Sequence, residues 1–300
     1  MNGETPSAAM PQKSRPSRTH AVVGILRRED GAVFMQQRRA PQTFDGFWEF
    51  PGGKVNPGEE LYAALQRELR EETGIFVRRA HRFVRRRRRH PGGELLLDFF
   101  HITEYDGAPR GREGQNCLWA AADALPSPPL PANESVCKWL RLPPICAITA
   151  AEIFGADETL RRLQNALREK RFRFVQLRDK NLPPQQRRSF ARRAAELCRA
   201  HGALFCINDD EFLAAETGGG LHLGSRRLAE CRARPPFEWT GASCHSAEEI
   251  ARAAALGLDF AVLSPVCKTL SHVAAPPLGW RRFAEIAATA GIPIYALGGL

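Results

Sequence analysis

No apolar stretch of this chain approaches the ~20 residues that a membrane-spanning helix needs, so no membrane partner is expected. Its eight cysteines are Cys117, Cys137, Cys146, Cys198, Cys206, Cys231, Cys244 and Cys267, and they form neither a CxxC pair nor a zinc-like spacing. They read as reduced thiols used as small hydrophobes rather than as a disulfide framework. The opening MNGETPSAAMPQKSRPSRTH lacks the apolar segment of a signal peptide. Residues 1–18 are therefore expected to be a disordered leader, with the cytoplasm as compartment. Positive charge is abundant but lacks a focus. Of 43 basic and 33 acidic residues, 22 and 17 lie up to Arg141 and 21 and 16 after it. A nucleic-acid-binding face would concentrate them, so direct DNA binding is not expected. The run Arg85 to Arg89 is the exception, readable as a solvated hairpin surface or as a phosphate or nucleic-acid contact.

What is present suits two globular domains: 300 residues, 43% hydrophobic and 25% charged, can bury substantial cores. HAVVGILRR (20–28) and GAVFMQQ (31–37) read as strands joined by a REDG turn. The Gly-rich EFPGGKVNPGE precedes a helix from about Glu59 to Thr73, closed by Gly74. Strands near 80–87 and 94–104 follow, and the Pro-rich tract ending at Pro143–Pro144 marks the domain boundary. Beyond it, ICAIT, FRFVQLRD, LFCIND, GLHLG, TGASCH, FAVLSPV and IPIYALGG are short apolar runs separated mostly by Ala/Arg-rich helical segments. That alternation implies parallel strands with crossover helices, a (β/α)8-type barrel with its site at the strand C-termini. The sequence stops at Leu300, just after the seventh strand. The expectation is a barrel lacking its last unit, through truncation or a different closure.

Glu68, Glu71 and Glu72 fall on nearly one face of the first helix, where like charges repel by about 0.2–0.5 kcal/mol per pair. A hard cation between them would remove that cost. Clustered carboxylates suit Mg2+, or Mn2+, which also binds substrate phosphates. Arg67, two turns after Glu59, is placed to orient the carboxylates. Gly52 and Gly53 permit close backbone approach.

The segment GGKVNPGEELYAALQRELREETGI resembles in full the signature of the Nudix hydrolases, running from Gly53 through Glu59, Arg67, Glu68, Leu69, Glu71, Glu72 and Gly74 to Ile75. The resemblance extends over residues 20–141 or so and is similar to the MutT, or 8-oxo-dGTP diphosphatase, type. It implies an α/β/α sandwich with a mixed sheet, here over residues 19–142. It also implies metal binding by Glu68, Glu71, Glu72, Glu113 and the Gly52 carbonyl, and a catalytic part for Arg67, Glu68, Glu72 and Glu113. QQRRAP implies Arg39 as a phosphate contact, and FWEFPGGK implies a substrate loop of Glu49, Phe50, Pro51, Gly52 and Gly53. LPANESV places Asn133 where an asparagine reads the oxidised purine, an apt use of an amide; an N-cap before ESV is the structural alternative. The implied reaction is hydrolysis of 8-oxo-dGTP to 8-oxo-dGMP and pyrophosphate, an antimutator activity. Either Glu68 or Glu113 would deprotonate the water.

Residues 145–300 resemble the thiamine phosphate synthase/TenI family of barrels. VQLRDK supplies Gln176, Arg178 and Lys180, IND supplies Asn208 and Asp209, and HLG, SCH, PVCKT with Thr269, and ALGG follow in order. Gly298 and Gly299 suit a backbone phosphate cradle. The resemblance implies a metal aspartate three residues after HLG, where this chain has Arg227, and a lysine where it has His272. These departures replace a metal carboxylate by a cation, so a phosphorylated or heteroaromatic ligand, held in part by Arg227, is expected without metal-assisted loss of pyrophosphate. His272 reads as a proton shuttle or a loop residue. Two further readings stand beside a nucleotide-pool hydrolase with an appended barrel. One is a bifunctional thiamine enzyme that hydrolyses thiamine-related diphosphates. The other makes the barrel a non-catalytic ligand sensor.

Overall fold

The computed structural model describes residues 17–90, 93–268 and 276–299. The first half holds β1 (Ser17–Leu26), β2 (Val33–Gln37), β3 (Trp48–Glu49), β4 (Gly52–Lys54), α1 (Leu61–Thr73), β5 (Phe76–His90), β6 (Gly93–Asp106), β7 (Cys117–Ala120) and α2 (Glu134–Trp139). One sheet runs β4-β1-β6-β5 and a smaller one β3-β2-β7. β1 is parallel to β6, while β4 on β1 and β5 on β6 are antiparallel, so the main sheet is mixed.

Alternation along β1 divides the apolar residues between two layers, because successive strand side chains face opposite ways. Val22 and Leu26 join Ala64, Leu65 and Leu69 of α1 in one core. Val23 and Ile25 join Phe50, Phe99 and, from α2, Val136 and Trp139 in the other. Helices thus cover both faces. Gly24 sits at the crossing of α1 on β1: a Cβ there would lie 2.7 Å from Leu69 Cδ2.

Two sequence expectations change. The REDG segment does make a turn, with Gly31 N–H donating to Arg28 O. β1 and β2 nonetheless lie in different sheets and share a single bridge, Arg27 to Val33. Arg18, placed in the leader by composition, is paired with Glu94 of β6; the rest of the leader, residues 1–16, lies outside the described residues.

The second half alternates strongly. It holds β8 (Cys146–Ile148), α3 (Ala151–Phe154), α4 (Ala156–Arg168), β9 (Phe174–Leu177), α5 (Pro184–Ala200), β10 (Leu204–Asn208), α6 (Glu211–Thr217) and β11 (Gly220–Leu223). After these come α7 (Ser225–Glu230), β12 (Thr240–Cys244), α8 (Ala247–Ala255), β13 (Phe260–Leu263), α9 (Gly279–Ala287) and β14 (Ile294–Ala296). The seven strands are all parallel, in chain order from β8 to β14. The sheet curls into a nearly closed barrel. Phe174 of β9 meets both Phe260 of β13, ring centroids 5.2 Å apart, and Tyr295 of β14 at 5.8 Å, which a flat sheet would forbid. β8 and β14 are its edges among the described residues.

The arginine-rich strand lies at the junction of the halves. Arg82 Nη1, Arg85 N–H and Arg86 Nη1 donate to Ala288, Ala290 and Gly291 carbonyls at 2.9, 2.9 and 3.1 Å. These carbonyls follow the C-terminus of α9, where cations are favoured. Arg86 also lies over Trp139, and Arg85 pairs with the fully buried Asp98. Only Arg87, Arg88 and Arg89 are exposed, so the run is neither wholly solvated nor wholly a free basic surface. Lys138 adds a 2.7 Å ion pair to Asp259 across the same junction, and Tyr295 Oη donates to Pro143 O.

Candidate functional site

α1 ends on Gly74, whose left-handed φ of 80° lets its N–H cap Arg70 O. The crowded carboxylates are first answered from within the chain. Arg67 donates to Glu59 at 2.8 and 2.9 Å, to Glu68 at 2.8 Å, to Glu71 at 3.3 Å and to Lys54 O at 3.0 Å. Arg67 accordingly holds the Glu59 carboxyl down to about 2. Gly53 leaves room for a carboxylate: a Cβ would fall 2.2 Å from Glu68 Oε2, so a side chain there would push Glu68 aside. Gly52 has φ 149°, and a Cβ would strike Val22 O.

Glu72 stands apart from its helical neighbours. Its Oε2 accepts from Gln36 Nε2 at 2.8 Å and from Gly52 N–H at 2.9 Å. Burial, opposed by those two bonds and aided by the charges of Glu49 and Glu113, pushes its carboxyl up to about 7. It opens on a cleft of about 260 Å³ whose walls include Gln36, Arg39, Glu49, Glu113 and Gln115. Arg39 Nη1 donates to the Glu113 carbonyl, so the arginine and the 110–115 loop are tied together. Arg38 donates to Glu49 at 2.6 Å.

The structure separates some expected contacts from this group. Phe50, in the short connection between β3 and β4, is 2% exposed and packs edge-on to Phe99, so its side chain belongs to the core. Pro51 is likewise buried. Asn133 is 3% exposed at the start of α2, yet its side chain makes no capping bond. Gln36 and Gln115 were missed from sequence. Gln115 Nε2 donates to Gln36 Oε1 at 3.4 Å and to Glu72 O at 3.2 Å, and its Oε1 accepts from Glu113 N–H at 2.8 Å. The one clue was a buried glutamine inside an apolar strand, since buried polar groups demand partners.

In the barrel, Gln176, Arg178, Lys180, Asn208, Gly298 and Gly299 line a pocket of about 380 Å³ at the strand C-termini. A Cβ on Gly299 would lie 2.2 Å from Lys268 O, and its φ is 68°, so glycine alone allows this approach. His222, Ser243 and His245 also face it and were not picked out by number from sequence. His222 Nε2 shares a 2.9 Å bond with Ser243 Oγ, its Nδ1 has no partner, and burial holds the imidazole down to about 3. Asp209, in left-handed backbone at φ 55°, accepts from Gly224 N–H at 2.5 Å. Arg227 does not join the pocket. It donates to Asp209 O at 3.0 Å and to Glu211, so the guanidinium expected to hold a phosphate is turned to these two groups. Thr269 and His272 lie outside the described residues.

Comparison with known proteins agrees with this division. The family model for the NUDIX domain matches residues 17–141, and that for thiamine monophosphate synthase matches residues 145–300. An 8-oxo-dGTP diphosphatase of Haemophilus influenzae is 40% identical over 104 residues, 35% of this chain and 76% of the relative. A putative thiamine-phosphate synthase 2 of Aquifex aeolicus is 36% identical over 166 residues, 54% of this chain and 87% of the relative. The chain joins a Nudix hydrolase to a member of the thiamine monophosphate synthase family. A CTP pyrophosphohydrolase of Escherichia coli is also similar to the Nudix half, 35% identical over 113 residues, 37% of this chain and 84% of the relative.

Nudix hydrolases generally use a divalent cation, and the donor set here fits one. Glu72 is a buried carboxylate raised by burial and by the neighbouring charges of Glu49 and Glu113, an excess of negative charge that a hard cation would relieve. As they stand, Glu68 and Glu71 are turned to Arg67. Among the described residues no three acidic, histidine or cysteine side chains already form a cage. No helix among them is long and apolar enough to cross a membrane.

Proposed function

We propose that the Nudix half is a Mg2+-dependent nucleoside triphosphate diphosphatase whose preferred substrate is 8-oxo-dGTP, giving 8-oxo-dGMP and pyrophosphate. The observation that carries the base preference is the uncommitted amide of Asn133, buried at a helix start without serving as its cap. That amide offers a donor and an acceptor to the O6 and N7/N8 edge of an oxidised purine. The similarity to an 8-oxo-dGTP diphosphatase supports the same choice.

In this reading Arg39 holds a phosphate while its bond to the Glu113 carbonyl steadies the 110–115 loop. Gln36 and the Gly52 N–H fix the Glu72 carboxylate. Glu68, Glu71, Glu72, Glu113 and the Gly52 carbonyl are the groups that would hold Mg2+, or Mn2+ in its place. When bound, such an ion neutralises phosphate charge and makes water a better nucleophile. Either Glu68 or Glu113 would serve as the base for the attacking water. Clearing oxidised nucleotide would serve replication fidelity and DNA repair in the cytoplasm, without contact to DNA itself.

A second reading concerns the barrel: we propose that it binds a phosphorylated small ligand between Arg178, Lys180 and the Gly298–Gly299 backbone. Arg227 in place of the expected carboxylate, bonded to Asp209 O and Glu211, favours binding over synthase chemistry. The test of the first reading is pyrophosphate release from 8-oxo-dGTP, dGTP and CTP with Mg2+, beside orthophosphate release from thiamine diphosphate; the test of the second is binding of inorganic phosphate to the full chain and to Arg178→Gln. Preference for 8-oxo-dGTP is expected. Faster turnover of CTP would favour a CTP pyrophosphohydrolase, and of thiamine diphosphate the thiamine pathway.

A further inference from the structure

The junction between the halves encloses a cleft of about 390 Å³ that belongs to neither site described above. Its walls come from both halves, with Arg27, Arg82, His101 and Trp139 on one side and Ile292 and Tyr295 on the other. No acidic side chain lines it. Arg27 Nη2 donates only to Leu140 O, at 2.8 Å, and among the described residues it meets no carboxylate. Arg82 lies 2.9 Å from Asp98 Oδ1, but at an angle that leaves its buried Nε without a hydrogen bond. Asp98 must also answer Arg85 and His20, at 2.9 and 2.7 Å. One carboxylate thus faces several cations, and positive charge is left over at the cleft. The His101 ring lies tilted against Phe83, centroids 4.4 Å apart, and burial with the charge of Arg27 holds it neutral, down to about 4.

We infer that this cleft is a binding site for a small aromatic anion, its ring against the apolar wall of Leu142, Ile292 and Tyr295 and its charge on Arg27 and Arg82. The chemistry is that of most small-molecule sites, an apolar enclosure with a few convergent polar groups. Arginine is the side chain suited to a phosphate or carboxylate in such surroundings. Because both halves supply walls, an occupant stabilises their docked arrangement by mass action.

Titration of the full chain with 1-naphthyl phosphate, read by tryptophan fluorescence and checked by calorimetry, tests the site. Saturable binding below about 1 mM is expected, with neutral 1-naphthol binding at least about tenfold more weakly. Arg27→Gln, at an exposed side chain with one carbonyl partner, should weaken binding by about tenfold. Leu142→Trp, which fills the cleft, should abolish it while Mg2+-dependent nucleotide hydrolysis continues. Absence of saturable binding would overturn the inference. So would binding that survives both substitutions, or binding lost instead with Arg178→Gln, which would place the ligand in the barrel pocket.

Discussion

The two halves build their sites in opposite ways. In the Nudix half, most of the clustered charged groups lie on one helix and its preceding loop, from Gly52 to Glu72, with Arg67 bonding Glu59, Glu68 and Glu71, and Arg39, Glu49 and Glu113 join Glu72 at the cleft. In the barrel half, the site takes a residue or two from the ends of successive strands, from Gln176 to Gly299. Like charges packed on one helix are a local anomaly that needs a cause, whereas a single histidine or asparagine in a strand has many. The electrostatics differ as well. Burial drives Glu72 up to about 7, close to an excess of acid, and drives His222 down to about 3, beneath Arg178 and Lys180. One environment suits a cation and the other an anion.

Glu72→Gln gives the largest effect that would sharpen this contrast. It removes the central carboxylate and should lower kcat by about a thousandfold or more, a loss of several kcal/mol in transition-state stabilisation. Barrel ligand binding should not change. Retention of more than a tenth of the activity would break the assignment.

The same substitution should do the opposite to stability. Glu72 is raised from an ordinary value near 4.5 to about 7 in the fold, so its favourable contribution is complete below 4.5 and lost as pH rises through 7. Without metal, Glu72→Gln should be more stable than wild type at pH 8, by on the order of 3 kcal/mol, and equal to it near pH 4.5. Urea melts of metal-free protein across that range measure the difference; a variant less stable at pH 8 would refute the account.

His222 should respond in the other direction. Its folded value lies below the ordinary 6.5, so stability is full above 6.5 and falls as pH drops toward 3. The loss is at most about 1.4 kcal/mol per pH unit. His222→Gln should flatten the acid limb of the pH–stability curve without altering nucleotide hydrolysis, and an unchanged limb would count against a buried neutral imidazole. The smallest expected effect is at Arg178. Arg178→Gln should weaken binding of a phosphorylated probe such as inorganic phosphate by about tenfold, as loss of one charge-assisted contact would, with hydrolysis untouched. Equal loss of both activities would show the two sites to be one system.

What sequence revealed follows the same divide. The seven barrel strands were legible because buried parallel strands read as short apolar runs between helices, and the acidic helix because its spacing is so unfavourable without a partner. Gln36, Gln115, His222 and Ser243 were not, because their partners are fixed by sheet packing: Gln36 reaches Glu72 across 36 positions and His222 reaches Ser243 across 21. The arginine run was ambiguous for the same reason. Only pairing of β5 with β6 decides that Arg85 meets Asp98 while Arg87 faces water. At Phe50 a substrate-loop motif and a core position coincide in one residue.

The most direct test of the central claim is the ratio of kcat/KM for 8-oxo-dGTP over dGTP in wild type and Asn133→Ala, with Mg2+ and the full chain. A buried amide that reads the oxidised edge is worth about 1–3 kcal/mol of discrimination. The ratio should therefore fall by about tenfold or more while turnover of dGTP changes little. An unchanged ratio, or a wild type that turns over dGTP or CTP as readily as 8-oxo-dGTP, would contradict it.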